Sequence, residues 1–206
     1  SLPKPLNRPR KMPKQERSSE LVSTIFEASV RIFESTKNLT FSTRSVAELA
    51  GISIGSLYQY FPNKEALVGA LIEKEGRKHI VEIKKLYSEL KNENLEGGTH
   101  AILFNLFSQV NKNKKFLRGI LKSVFHVERL ETVIENRNLA MEFIAGVLLE
   151  KNIVSDRKTA MAKAYVITAS CGGMVETIIF RDDESISIDE ITQQMTKMVV
   201  GFCKLP

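Results

Sequence analysis

A chain of 206 residues, 43% hydrophobic and 26% charged, carries enough apolar material to bury the core of one or two domains, which excludes wholesale disorder. The net charge of +6 is concentrated at the start, where Lys4, Arg8, Arg10, Lys11, Lys14 and Arg17 stand against one acid, Glu16. No apolar run reaches membrane-spanning length, no apolar signal core opens the chain, and neither Cys171 and Cys203 nor His79, His100 and His126 form a ligand pair, so we expect a cytoplasmic protein with no membrane contact, no metal and no cofactor.

Residues 1–17 form a basic arm that Pro3, Pro5, Pro9 and Pro13 keep from being one regular helix. Two roles are open to it: phosphate binding by counterion release, or a solvated tail. From Glu16 onward, Leu21, Val22, Ile25, Phe26, Ser29, Ile32 and Phe33 repeat at spacings of three and four, which predicts a first helix ending near Lys37 or Asn38. Ser42 is placed to cap a second helix, Thr43 to Ala50, which Gly51 ends. Ser53 can cap a third, Ile54 to Tyr60; Pro62 and Asn63 then break the chain and start a fourth at Lys64, running to about Leu90.

Asn92, Asn94, Gly97 and Gly98 read as a loop. Helical patterns follow at about Thr99 to Val110, Lys114 to Phe125, Glu128 to Lys151, Asp156 to Phe180 and Ile188 to Phe202. Ser155 suits an N-cap, and Ser187 with Glu190 forms a capping box for the last helix. The expected fold class is all-α. Its parts are the arm at 1–17, a domain of short capped helices at 18–64 and a longer helical domain at 65–206.

The most informative stretch is Ser42 to Phe61. Ala47 lets the second and third helices approach, Gly51 makes a sharp turn, and Val46, Leu49, Ile52 and Leu57 are candidates for the core beneath. The third helix then turns Ile54, Gly55, Ser56, Tyr58, Gln59 and Tyr60 outward, short and aromatic groups suited to base edges, thymine methyls and phosphates. Ser42, Thr43 and Arg44 in the first turn of the second helix join Ser53 at this face, with Arg44 the candidate for a guanine; Lys64 and the N–H groups opening the fourth helix suit a phosphate. An all-packing helical hairpin is the alternative for this segment, but packing alone does not explain Gly, Ser and Gln on a short capped helix.

Gly55-Ser-Leu-Tyr-Gln-Tyr-Phe61 followed by Lys64 closely resembles the DNA-binding signature of the tetracycline-repressor (TetR) family of bacterial regulators. Asn38 stands where that family usually has Gly, and Ser56 where it has Thr. The resemblance implies a three-helix domain with a helix-turn-helix, a helical effector-binding and dimerisation domain, a palindromic double-stranded operator, a small-molecule effector and a homodimer. It implies no enzymatic activity.

Two chance patterns are set aside. Gly51-Ile-Ser53-Ile-Gly55 fits the nucleophile elbow of hydrolases, but the elbow needs a preceding strand and Arg44 to Ala50 is helix-patterned. Asn38-Leu39-Thr40 fits a glycosylation acceptor without a secretory context. In the second domain, the helix from Thr99 is apolar nearly all round and is expected to run through the middle and line a cavity, with Phe104, Phe107, Phe125, His126 and Tyr165 as candidate wall residues. The last two helices mix small residues (Ala160, Ala164, Ala169, Ser170, Gly172, Gly173) with large ones (Met174, Ile178, Ile191, Met195, Met198, Phe202), which predicts close helix approach; the resemblance implies a four-helix interface between two subunits, and an intrachain core is the alternative.

Overall fold

The computed structural model describes residues 16–35, 41–124 and 130–205, and among them every regular element is an α-helix. In chain order these are α1 (Glu16–Glu34), α2 (Thr43–Ala50), α3 (Ile54–Tyr60), α4 (Lys64–Glu89), α5 (Leu95–Lys112), α6 (Lys114–Val124), α7 (Leu130–Glu150), α8 (Arg157–Phe180) and α9 (Ile188–Lys204). Residues 1–15 of the arm, Asn38 with its cap role, and Phe125 and His126 lie outside the described residues, while Glu16 and Arg17 open α1. The chain divides into two compact units, the first of residues 1–75 and 115–132, the second of residues 76–114 and 133–206.

Local chemistry sets most helix ends. The Ser42 hydroxyl accepts from the Ser45 backbone N–H while Ser45 Oγ accepts from the Ser42 backbone, a reciprocal capping box at α2. At its other end Gly51 takes φ 68°, Gly51 N donates to Glu48 O at 3.2 Å and Ile52 N to Ala47 O at 3.0 Å, the paired bonds of a Schellman turn. Ser53 caps α3 through Ser56 N, and Asn63 Oδ1 caps α4 through Ala66 N at 2.7 Å. Ser187 and Glu190 form the box expected at α9.

Three boundaries differ from the sequence expectation. Gly97 and Gly98 lie in the first turn of α5, not in a loop, because the Asn94 side chain accepts from Gly97 N at 2.8 Å and starts the helix there. Asp156, not Ser155, caps α8, accepting from Thr159 N at 2.9 Å with a charge that also suits the helix dipole. Asn152, with φ 54°, closes α7 by a second Schellman turn that sends Ile153 N to Leu148 O.

In the first unit, α1 packs on α2 and α2 on α3 over a core that includes Ile25, Ile32, Val46, Leu57, Phe61, Leu67 and Leu71. Phe33 stacks on Phe41 at 4.2 Å between centroids and meets the edge of Phe116 on α6. The approach of α6 is close: a Cβ on Gly119 would fall 2.5 Å from the Phe33 ring. Leu49, expected in this core, is 48% exposed, since the turn at Gly51 directs Val46 and Ala47 inward and leaves the far side of α2 to solvent.

In the second unit α5 packs against α9 and α8, burying Leu103, Phe107 and Val110. Between Gly97 and Asn111, Phe104 is the exposed residue, at 42%, and stacks on His100; the rest of this stretch is buried or half-buried, in keeping with a helix running through the middle of its unit. Ala160 and Ala164 of α8 meet Ala145 of α7 in a cluster of small residues, close packing within the chain. Lys163, buried, donates to the carbonyls of Phe202 at 3.1 Å and Leu205 at 2.7 Å, placing its charge at the carboxyl end of α9 where the helix dipole favours it.

Candidate nucleic-acid interface and internal cavity

The polar face of the first unit is assembled by the caps. Because Ser42 and Ser53 each spend a side chain on a helix N-terminus, α2 and α3 begin at fixed places. Leu57 is the buried side of α3, and its neighbours Ile54, Gly55, Tyr58 and Gln59 are exposed. Tyr58, 42% exposed, sits with its hydroxyl 3.1 Å from Thr43 Oγ1, so a hydrogen bond ties the outer side of α3 to the first turn of α2. Sequence spacing alone did not reveal that tie.

Arg44 stands on the same rim with its side chain 85% exposed, and its Nε donates to Glu48 Oε1 at 3.2 Å. An exposed pair of this kind contributes about 0–1 kcal/mol, too little to hold the guanidinium back from a stronger acceptor such as a guanine edge or a phosphate. Ser56 is half-buried, its Oγ 2.8 Å from Ser53 Oγ. Lys64, half-buried, holds its Nζ 5.4 Å from the Phe41 ring centroid, a cation–π contact at the start of α4. Tyr60 departs from the outward set: it is half-buried and packs on the first unit's core, because its position on α3 falls toward Phe61.

Ser53 has no surroundings for nucleophilic catalysis. The chain ahead of it is α2, and its hydroxyl is bonded to the Ser56 backbone at 3.0 Å and to Ser56 Oγ. The match to the elbow pattern is therefore a helix-cap serine between two glycines.

The second unit holds a cavity of about 190 Å³. Its wall comes from α4, α5, α7, α8 and α9, among them Ile83, Tyr87, Ile102, Phe143, Ile144 and Ile167. Tyr87 and Phe143 meet edge to face at 5.6 Å. The wall also takes in Thr168, Cys171 and Cys203, the last two being free thiols. Burial pushes the Cys171 thiol up to about 11 and raises that of Cys203, so both are neutral near pH 7. None of the described wall candidates from sequence lines this space. Phe107 is buried in the core, Phe104 is exposed, and Tyr165 is 64% exposed on the outer side of α8.

That outer side continues as a stripe. Ala162, Tyr165, Val166, Ala169, Gly173 and Phe180 of α8 are exposed at helical spacing, and Met198, Gly201 and Leu205 are exposed on or just beyond α9. Ile178 and Met195, by contrast, are buried within the chain. The two sequence alternatives for these helices thus divide by face, an intrachain core on one side and an uncovered apolar and small-residue side on the other.

Comparison with known proteins places this arrangement. Residues 25–71, which span the capped helices, match the family model described as bacterial regulatory proteins, tetR family. The nucleoid occlusion factor SlmA of Haemophilus ducreyi is 26% identical over 169 residues, covering 81% of this chain and 80% of that protein. Among solved structures, a putative TetR-family transcriptional regulator from Mesorhizobium loti superposes with a TM-score of 0.69 at 19% identity, covering 91% of this chain and 97% of its own. The fatty acid degradation regulator FadR of Bacillus halodurans gives 0.66 at 16% identity, covering 87% and 97%.

Proposed function

We propose that this chain, whose residues 25–71 match the family model of bacterial regulatory proteins, tetR family, is a DNA-binding transcriptional regulator that acts as a homodimeric repressor, released from a palindromic operator by a small-molecule effector. The observation that carries this reading is the face of α2 and α3 on which Arg44, Ile54, Gly55, Tyr58 and Gln59 are exposed and the half-buried Thr43 meets Tyr58, while Leu57 is buried on the other side of α3. Arg44 supplies a bidentate donor for a guanine, Tyr58 and Ile54 supply apolar contact for thymine methyls, and Ser42, Ser53, Ser56 and Lys64 serve phosphates. Tyr60 contributes its hydroxyl end at most, the ring being held by the core.

Two recognition helices are needed to read a palindrome, with half-sites roughly 34 Å apart. The uncovered stripe from Tyr165 to Phe180 together with Met198 and Leu205 supports a subunit interface of two helices from each copy. The cavity of the second unit is the proposed effector site, and α4, which contributes residues to both units, is the proposed route by which occupancy alters the spacing of the recognition helices. The basic residues of the arm add sequence-independent affinity for phosphates.

The test is a titration of the full chain on a cognate duplex by fluorescence anisotropy. Arg44→Ala and Tyr58→Ala are expected to weaken binding about 10-fold or more each, with a steep salt dependence in the parent protein. Unchanged affinity in both variants would refute the proposed interface. The name of the Haemophilus relative offers a second reading, a nucleoid occlusion factor. It needs the same DNA face but no effector, so an operator affinity that no cavity ligand alters would favour it.

A further inference from the structure

The chemistry of the cavity wall identifies a class of occupant, an inference that rests on the effector-site reading above. Its lining is almost wholly aliphatic and aromatic, with Ile83, Ile102, Ile144 and Ile167 around the Tyr87–Phe143 pair. The polar groups in the wall, Tyr87, Thr99, Thr168, Cys171 and Cys203, include no charged side chain. The Tyr87 hydroxyl is committed to Glu150 at 3.2 Å. Thr168 Oγ1 is buried and has no hydrogen-bond partner, so it offers the cavity no surface. Cys171 and Cys203 stand as uncharged thiols, which behave as small apolar groups.

We propose that this cavity takes a neutral, hydrocarbon-rich molecule of on the order of six to eight carbon atoms and rejects carboxylates of the same length. The size follows from comparison with apolar cavities of about 150 Å³, which hold benzene; a space of about 190 Å³ accepts a slightly larger body. Rejection of the acid follows from desolvation: a carboxylate drawn among these side chains loses its water and finds no cationic partner in the wall, and Glu150 beside Tyr87 adds repulsion. Lys84 and Lys151 lie 5.7 Å and 5.8 Å from the Phe143 and Tyr87 ring centroids, so an acid that kept its headgroup at these cations is the rival that the experiment must separate.

The experiment follows thermal unfolding of the full chain without DNA, in n-hexane, 1-hexanol or hexanoate at matched free concentrations and pH 7.5, with calorimetry for affinity. Hexane and hexanol are expected to raise the melting temperature with a negative heat-capacity change on binding, and hexanoate to bind at least 100-fold more weakly. Ala140→Leu, and separately Cys171→Met, fill the cavity from α7 and from α8; each should abolish the hexane shift while the unliganded protein stays folded. Hexanoate binding as tightly as hexane would overturn the proposal in favour of an acid held at the lysines. No shift with hexane or hexanol would overturn it outright. A hexane shift that leaves operator affinity unchanged would uphold the ligand class while removing the switch, so the two failures are distinguishable.

Discussion

The two units use the same material to opposite ends. In the first, short helices are fixed by Ser42, Gly51, Ser53 and Asn63 over a core in which Ile25, Val46, Leu57, Phe61, Leu67 and Leu71 are almost fully buried. The second surrounds about 190 Å³ of apolar space. The difference suits the proposed roles: a platform proposed to present Arg44 and Tyr58 at a fixed angle is packed full, whereas the unit proposed to take an effector leaves room that a small molecule can fill.

The largest effect that sharpens this contrast is expected at Leu57. Leu57→Ala removes the buried side of α3 and should cost about 2–5 kcal/mol, because the surroundings are too tightly packed to collapse into the gap; chemical denaturation followed by circular dichroism reads it. Gly119→Ala should cost about 1–3 kcal/mol by driving a methyl into the Phe33 ring, against the usual gain from alanine in a helix. A neutral or stabilising result there would show that the first unit is looser than its packing indicates. Gly51→Val places a β-branched residue at φ 68° and is expected to destabilise by about 1–2 kcal/mol although there is open space for the side chain; Gly51→Asn should be milder.

Smaller effects belong to the second unit. Thr168→Val removes a buried hydroxyl that has no partner and should hold or raise stability, the opposite of a typical core substitution. The acid-sensitive caps come last. Hydrogen bonds from the Thr159 backbone hold the Asp156 carboxyl below its usual range, and Ser187 does the same for Glu190. A carboxyl with a depressed folded value stabilises fully above its ordinary range and loses that contribution as pH falls through the folded value. The difference in urea midpoint between the parent and Asp156→Ala should therefore be constant from about pH 7 to pH 5 and shrink below about pH 4. A difference independent of pH would mean that the charge plays no part in the cap.

Legibility in the sequence followed the range of each interaction. Ser42, Gly51, Ser53 and the Ser187–Glu190 box act within a few residues of themselves, so α2, α3, the start of α4 and α9 could be placed from spacing. The all-α class followed from the same periodicity. Where two adjacent residues could each cap, as with Ser155 and Asp156, or where Asn94 recruits two glycines into a helix, local pattern left the choice open to geometry. Leu49 and Tyr60 exchanged their expected faces because the orientation of α2 and α3 is set by long-range packing on α1. The cavity was least legible: five helices contribute to it, and no periodicity within one helix distinguishes a residue facing a void from one facing a neighbour.

The central claim is that the face around Arg44 and Tyr58 reads duplex DNA as a symmetric pair. Selection of bound sequences from a random duplex pool by the full chain tests it most directly. The account predicts a palindromic consensus with half-site centres roughly one helical turn or a small multiple apart, lost when the selection is repeated with Arg44→Ala. Enrichment of no sequence, or of the same sequence by the variant, would contradict it.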